Sequence, residues 1–223
     1  MCGIAGLWRL DPWPAGQGEA ILRAMTDAIR HRGPDASGQW LASGTGLALG
    51  HRRLSIIDLS PAGAQPMLSA SGRFVIVYNG EIYNHSALRT QLEAEGAGAW
   101  RGHSDTETLL AAIERWGVER ALTEITGMFV FALWDRHARR LVLARDRLGE
   151  KPLYYGRVGR AFAFGSELKA LREVPDFDET LDPVAVSDFM RSGYVREPAS
   201  IYAGIRKLPP GCALAITTPD ILP

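Results

Sequence analysis

Several stretches of the chain are apolar on both faces of what must be extended strand, and this sets how many layers the fold needs. Gly127-Met128-Phe129-Val130-Phe131-Ala132-Leu133-Trp134, a polar turn over 135–139 and Arg140-Leu141-Val142-Leu143-Ala144 read as one long hairpin. Leu153-Tyr154-Tyr155 and Ala161-Phe162-Ala163-Phe164 read as a second, and Arg73-Phe74-Val75-Ile76-Val77-Tyr78 as a further strand. A strand with one wet face alternates apolar and polar residues. These do not, so each sheet must be covered on both sides. Strands in antiparallel succession with helices between them predict an α+β fold, a four-layer αββα sandwich of two antiparallel sheets packed face to face under outer helices. A chain of 223 residues can bury a core of that size.

The covering helices have their own signals. Ile21, Leu22, Met25 and Ile29 mark one, which stops at His31-Arg32-Gly33-Pro34-Asp35, where glycine and proline form a termination signal. Another is expected around His85–Glu95. A third starts at Ser104-Asp105-Thr106-Glu107, with Ser and Glu at capping-box spacing and Leu109, Leu110, Ile113 and Trp116 as its apolar stripe. Short strands at Gly38–Ala42 and Gly46–Gly50 lead into His51–Asp58, whose Ile56-Ile57 pair suits a strand with basic residues at its start. Ser166–Leu171 reads as a short helix. Beyond Pro175–Asp178 the chain changes character, with a helix near Pro183–Arg191 and then a proline-rich remainder.

Lys+Arg and Asp+Glu each total 25, so no net field calls for nucleic acid or a membrane surface, and a small-molecule partner is favoured. The two cysteines, Cys2 and Cys212, fit neither a zinc spacing nor a disulfide framework, which places the protein in a reducing compartment, the cytoplasm. The sequence carries no targeting peptide and no apolar run long enough to span a bilayer. It has no phosphate-binding loop, dinucleotide fingerprint or metal-ligand cluster, so no cofactor is expected in this chain.

Four places admit both a structural and a chemical reading. Cys2 is a small apolar residue or, once Met1 is removed, a nucleophile that carries its own base, since an α-amine of pKa ~8 accepts protons near neutrality. Arg53 is an edge charge or a guanidinium fork for a carboxylate. Asn79-Gly80 is a tight hairpin turn, or an oxyanion hole made of one side-chain amide and one backbone N–H, with glycine leaving room for a ligand. Asp105, in a first helical turn, complements the helix dipole or pairs with an ammonium.

Taken in chain order, Met1-Cys2-Gly3-Ile4-Ala5-Gly6, His31-Arg32-Gly33-Pro34-Asp35, His51–Asp58, Asn79-Gly80-Glu81-Ile82-Tyr83-Asn84, Ser104–Glu107, Gly127-Met128-Phe129 and Ala144-Arg145-Asp146-Arg147 with Lys151-Pro152-Leu153-Tyr154-Tyr155 carry a resemblance. The chain resembles the N-terminal glutaminase domain of glutamine-dependent asparagine synthetases, class II glutamine amidotransferases with the N-terminal nucleophile hydrolase fold. The resemblance implies that Cys2 attacks the carboxamide of glutamine and that Asn79 and the Gly80 N–H stabilise the oxyanion. It implies that Arg53 holds the α-carboxylate, that Asp105 and the backbone around Gly80-Glu81 hold the ammonium, and that backbone near Ile57 contributes contacts. It also implies a glutaminase domain over 1–178 and, over 179–223, a connector to an ATP-pyrophosphatase synthetase domain. That domain would act in cis or in trans, and ATP and magnesium would be needed only there. The ammonia acceptor is aspartate or, in a related amidotransferase, another carboxylate, and a catalytically silent glutamine-binding role is the remaining alternative. Self-association of the chain is left open.

Overall fold

The computed structural model describes residues 1–56, 58–97 and 100–220. In chain order its elements are β1 (Gly3–Trp8), α1 (Gln17–Ala28), β2 (Ala36–Leu41), β3 (Leu47–Arg53), β4 (Met67–Leu68), β5 (Phe74–Ile82), α2 (His85–Ala94), α3 (Asp105–Trp116), α4 (Val118–Glu124), β6 (Gly127–Asp135), β7 (Arg140–Arg145), β8 (Tyr154–Val158), β9 (Ala161–Gly165), α5 (Leu168–Arg172), α6 (Pro183–Ser192), β10 (Ile205–Lys207) and β11 (Ala213–Ile216). They make a six-stranded sheet ordered β10-β8-β9-β1-β3-β2 and a five-stranded sheet ordered β11-β7-β6-β5-β4, with antiparallel pairing throughout. Both expected hairpins form, with Val130 opposite Arg145 and Tyr155 opposite Phe164.

Alternation along each strand sorts the core into three layers. Val75 and Val77 of β5 meet Ile4 and Trp8 of β1, Leu49 of β3 and Phe162 of β9 between the sheets. Ile76 and Tyr78 point the other way and pack with Leu88 of α2 and Leu109 and Ile113 of α3. Ala5 and Leu7 pack beneath Leu22 and Met25 of α1 and Leu171 of α5. Each fully buried aliphatic or aromatic side chain contributes about 1.5–3 kcal/mol, and the two-faced strands thus account for the αββα order.

Three local readings change. Asn79-Gly80 makes no turn: β5 runs through both residues to Ile82, with Asn79 opposite Val130 and Gly80 opposite Phe129, and neither has a positive φ. The long register with β6 overrides the turn propensity of the dipeptide. The strand expected over His51–Asp58 lies earlier, over Leu47–Arg53, because Gly3 pairs with Arg52 and β1 offers nothing beyond it; Ile56 is 69% exposed. Gly33 is not a left-handed helix cap, since its φ is −142. A Cβ there would strike the Arg52 carbonyl, so glycine lets the turn after α1 lie against β3.

Ser104 does cap α3, its Oγ accepting from the Glu107 N–H at 3.3 Å, while the Glu107 carboxylate reaches back to the N–H groups of Arg101 and Gly102 at 2.8 and 3.0 Å. The segment 179–223, read from sequence as a connector, supplies the outermost strand at one edge of each sheet, β10 and β11.

Candidate active site

Strand parity brings the candidate residues together. Cys2 precedes β1 on the parity of Ile4 and Trp8, and Arg53 closes β3 on that of Leu47 and Leu49. Asn79 shares the parity of Val75 and Val77 on the facing sheet. The inter-sheet layer is therefore apolar along most of its length and chemical at one end. Cys2, Arg53, Asn79, Gly80, Glu81 and Asp105 line a single cleft there. Ile57 lies outside the described residues.

The half-buried Cys2 thiol sits against the main chain of Leu54, accepting from its N–H at 3.3 Å and lying 3.5 Å from its carbonyl oxygen. Burial pushes this thiol up, against opposing pulls from the Leu54 contact, the N-terminal charge and Arg53. The sulfur is thus held as a thiol and needs a base to become a nucleophile.

Asn79 is 2% exposed, and its Nδ2 finds no hydrogen-bond acceptor among the described residues. Beside it, strand alternation sends the Gly80 N–H to the same edge as those of Tyr78 and Ile82. The Tyr78 N–H donates to Gln65 Oε1 at 2.6 Å and the Ile82 N–H to Asp105 Oδ2 at 2.9 Å. β4 covers only the Val75–Ile76 end of this edge, so the Gly80 N–H opens on the cleft. Two donors, the Asn79 amide, without an acceptor among the described residues, and the Gly80 N–H, therefore line the same cleft as the Cys2 thiol. The Cβ that Gly80 lacks would run into Met128 and Phe129 of β6, so its size is set by the sheet rather than by clearance for a ligand.

Arg53 donates from Nη1 to the Ser60 carbonyl at 3.1 Å and from Nη2 to the Asp58 carbonyl, which leaves further donors of its fork for the cleft. The loop it grips is anchored by Asp58, whose carboxylate accepts from the N–H groups of Ser60 and His103; the Ser60 side chain first, then these N–H groups, hold it at a pKa of about 2. Asp105 does more than complement a helix dipole. Its Oδ2 accepts from the Tyr78 hydroxyl at 2.7 Å as well as from Ile82, tying α3 to β5. Burial and Asp105 together push the Tyr78 hydroxyl up, so it stays protonated as a donor. Buried His51 crosses from the first sheet to the second, its Nε2 3.0 Å from the Tyr78 carbonyl oxygen. An oxygen acceptor assigns the proton to Nε2, and burial lowers the ring to a pKa of about 4, keeping it neutral.

Sequence reasoning missed three residues. Arg32, in a segment given no role at the site, donates from Nε to the Cys2 carbonyl at 2.9 Å and pairs with Glu167 at 2.9 Å, fixing the backbone of Cys2. Gln65, hidden in a proline-flanked loop, holds the strand edge beside Gly80. Lys151 is 4% exposed in the cleft wall.

A family model described as a glutamine amidotransferase domain matches residues 1–222. The asparagine synthetase [glutamine-hydrolyzing] 3 of Bacillus subtilis is 38% identical over 220 residues, covering 97% of this chain and 35% of its own length. The asparagine synthetase [glutamine-hydrolyzing] 1 of the same organism is 37% identical, covering 97% and 33%. The chain thus spans about a third of the length of these curated relatives. Among solved structures, a glutamine phosphoribosylpyrophosphate amidotransferase from B. subtilis superposes with a TM-score of 0.66 at 23% identity over 79% of this chain and 44% of that one, which establishes the shared fold.

Proposed function

The chain belongs to the glutamine amidotransferase family, and from that premise we propose that it hydrolyses glutamine to glutamate and ammonia through a γ-glutamyl thioester on Cys2. Removal of Met1 frees the α-amine of Cys2, which takes the thiol proton as sulfur bonds to the carboxamide carbon. Asn79 Nδ2 and the Gly80 N–H receive the oxyanion, the amine returns the proton to departing ammonia, and water then cleaves the thioester. The zwitterionic end of the substrate lies between Arg53, on its carboxylate, and Asp105 with the Glu81 region, on its ammonium. The observation that carries this reading is the buried Asn79 amide, without an acceptor among the described residues, in the same cleft as Gly80 and Cys2. One oxyanion donor is worth about 2.7–4 kcal/mol of transition-state stabilisation.

The ammonia passes, in this reading, to an ATP-dependent amidation domain of the asparagine-synthetase type, in cis or in trans, and ATP and magnesium are used only there. The greater length of the relatives and the activity in their names support that destination. Glutamate release tests the core of the proposal, measured on protein whose intact mass shows Met1 absent. It should vanish in Cys2→Ala and in a chain that keeps one extra N-terminal residue; turnover preserved in either variant refutes the mechanism.

A further inference from the structure

The segment from Arg145 to Lys151 is built to hold one side chain. Asp146 accepts from the N–H groups of Leu148 and Glu150 on Oδ1, each at 3.0 Å, and from those of Phe129 and Lys151 on Oδ2 at 3.2 and 3.1 Å. Arg145 donates from Nε to the Lys151 carbonyl at 2.6 Å, from Nη2 to Gly149 and from Nη1 to Leu208 and the Glu197 carboxylate. Lys151 is therefore pinned through both its N–H and its C=O, and its 4%-exposed side chain forms part of the wall of the Cys2 cleft. Its ammonium donates to the Met1 thioether at 3.2 Å and makes no ion pair among the described residues.

A thioether is a weak acceptor, and it belongs to the residue that the proposed processing removes. With no stronger acceptor among the described residues, the field of this buried cation is left largely uncompensated within the cleft. What Met1 leaves behind is the α-amine of Cys2. Five covalent bonds separate the Met1 sulfur from the Cys2 nitrogen, a reach of about 6 Å, which puts the ammonium within roughly 9 Å of the amine. A like charge at that range in a partly dry site disfavours protonation.

We propose that Lys151 is a positioning residue that keeps the α-amine of processed Cys2 in its neutral, proton-accepting form by placing a fixed positive charge beside it. This rests on the glutaminase reading above. The neutral amine takes the thiol proton as the sulfur–carbon bond forms and yields it to the leaving ammonia; Lys151 itself exchanges no proton. Other charges bear on the same amine: Arg53 from β3 and Arg32 through the Cys2 carbonyl act with Lys151, whereas Glu81 from β5, Asp105 from α3 and Asp58 from the loop after β3 oppose it.

The test is a direct titration of the Cys2 α-amine, followed by the carbon shift of Cα in cysteine-labelled protein lacking Met1, alongside the pH profile of glutamate release. In Lys151→Met and Lys151→Gln the amine midpoint should rise by about one pH unit, the acidic limb of kcat/KM should move up with it, and Lys151→Arg should restore both. Having two neutral variants guards against one that misfolds. An unchanged midpoint, or an Arg variant that behaves like Gln, overturns the proposal. The titration needs no turnover, so a Cys2→Ala variant that still releases glutamate would sink the glutaminase reading, while the amine midpoint alone would still decide for or against Lys151.

Discussion

Replacing Asn79 by alanine separates catalysis from stability, because the two should move in opposite directions. In the folded protein the Nδ2 of Asn79 is buried without an acceptor among the described residues, a condition that costs about 1–3 kcal/mol. Truncation removes that penalty and opens a cavity of roughly 30 Å3, which costs ~0.7 kcal/mol at ~24 cal/mol per Å3. The balance runs from near zero to about 2 kcal/mol of added stability, and at about 2–4 °C per kcal/mol the melting temperature should hold or rise by several degrees. Transition-state stabilisation should fall by about 2.7–4 kcal/mol, a loss of about 100- to 1,000-fold in kcat. Glutamate release by a coupled dehydrogenase assay and thermal melting on the same preparation give both numbers. A melting temperature lowered by about 6 °C or more would make Asn79 a structural amide that merely looks unpaired. A kcat within about threefold of the parent would remove it from the oxyanion hole.

Two further outcomes follow from the buried polar groups. His51 has a folded pKa of about 4 against about 6.5 unfolded, so the unfolded chain binds the extra proton between these values. Its contribution, up to about 3 kcal/mol, is fully present above pH ~6.5 and is lost as pH falls towards 4. His51→Gln, which can still donate to Tyr78, should flatten that part of the stability–pH curve in denaturant melts; an unchanged slope from pH ~6.5 to ~4 would show that other groups control it. Asp105→Asn keeps an acceptor for Tyr78 and Ile82 but discards the charge, so it should cost about 1–2 kcal/mol in melts while raising the KM for glutamine at least tenfold, a factor of about 1.4 kcal/mol in binding. An unaltered KM would mean that Asp105 serves only to tie α3 to β5.

The layers are legible because apolarity on both faces is a local property of β5, β6 and β9, readable from a few consecutive residues. The same holds for the Ser104 cap, whose partner is three residues away. Asn79-Gly80 misleads because its conformation is decided by its opposite numbers Val130 and Phe129, and an isolated Asn-Gly carries no trace of them. Gly33 invites the wrong neighbour as its explanation, its real constraint being the Arg52 backbone. Arg32 and Lys151 escape notice as site residues for the same reason: their contacts, Cys2 and Glu167 for the one and Met1 for the other, lie 30, 135 and 150 residues away. Parity is the one long-range inference that short-range data can support, since Cys2, Arg53 and Asn79 all share the face of their strand's innermost residues.

The placement of β1 also bears on the timing of biosynthesis. It is flanked by β3 on one side and β9 on the other, and β9 ends only at Gly165. At about 5–20 residues per second, a ribosome needs roughly 10–30 s after making β1 to supply that last neighbour. Throughout this interval the first strand lacks one of its two hydrogen-bonded flanks, and an aminopeptidase acting as proposed above would meet Met1 on a loose end. After closure Cys2 is held by Leu54 and Arg32, and trimming would have to compete with a folded cleft. The proposed removal of Met1 thus has a natural window, set by how far along the message the last flanking strand of β1 is encoded.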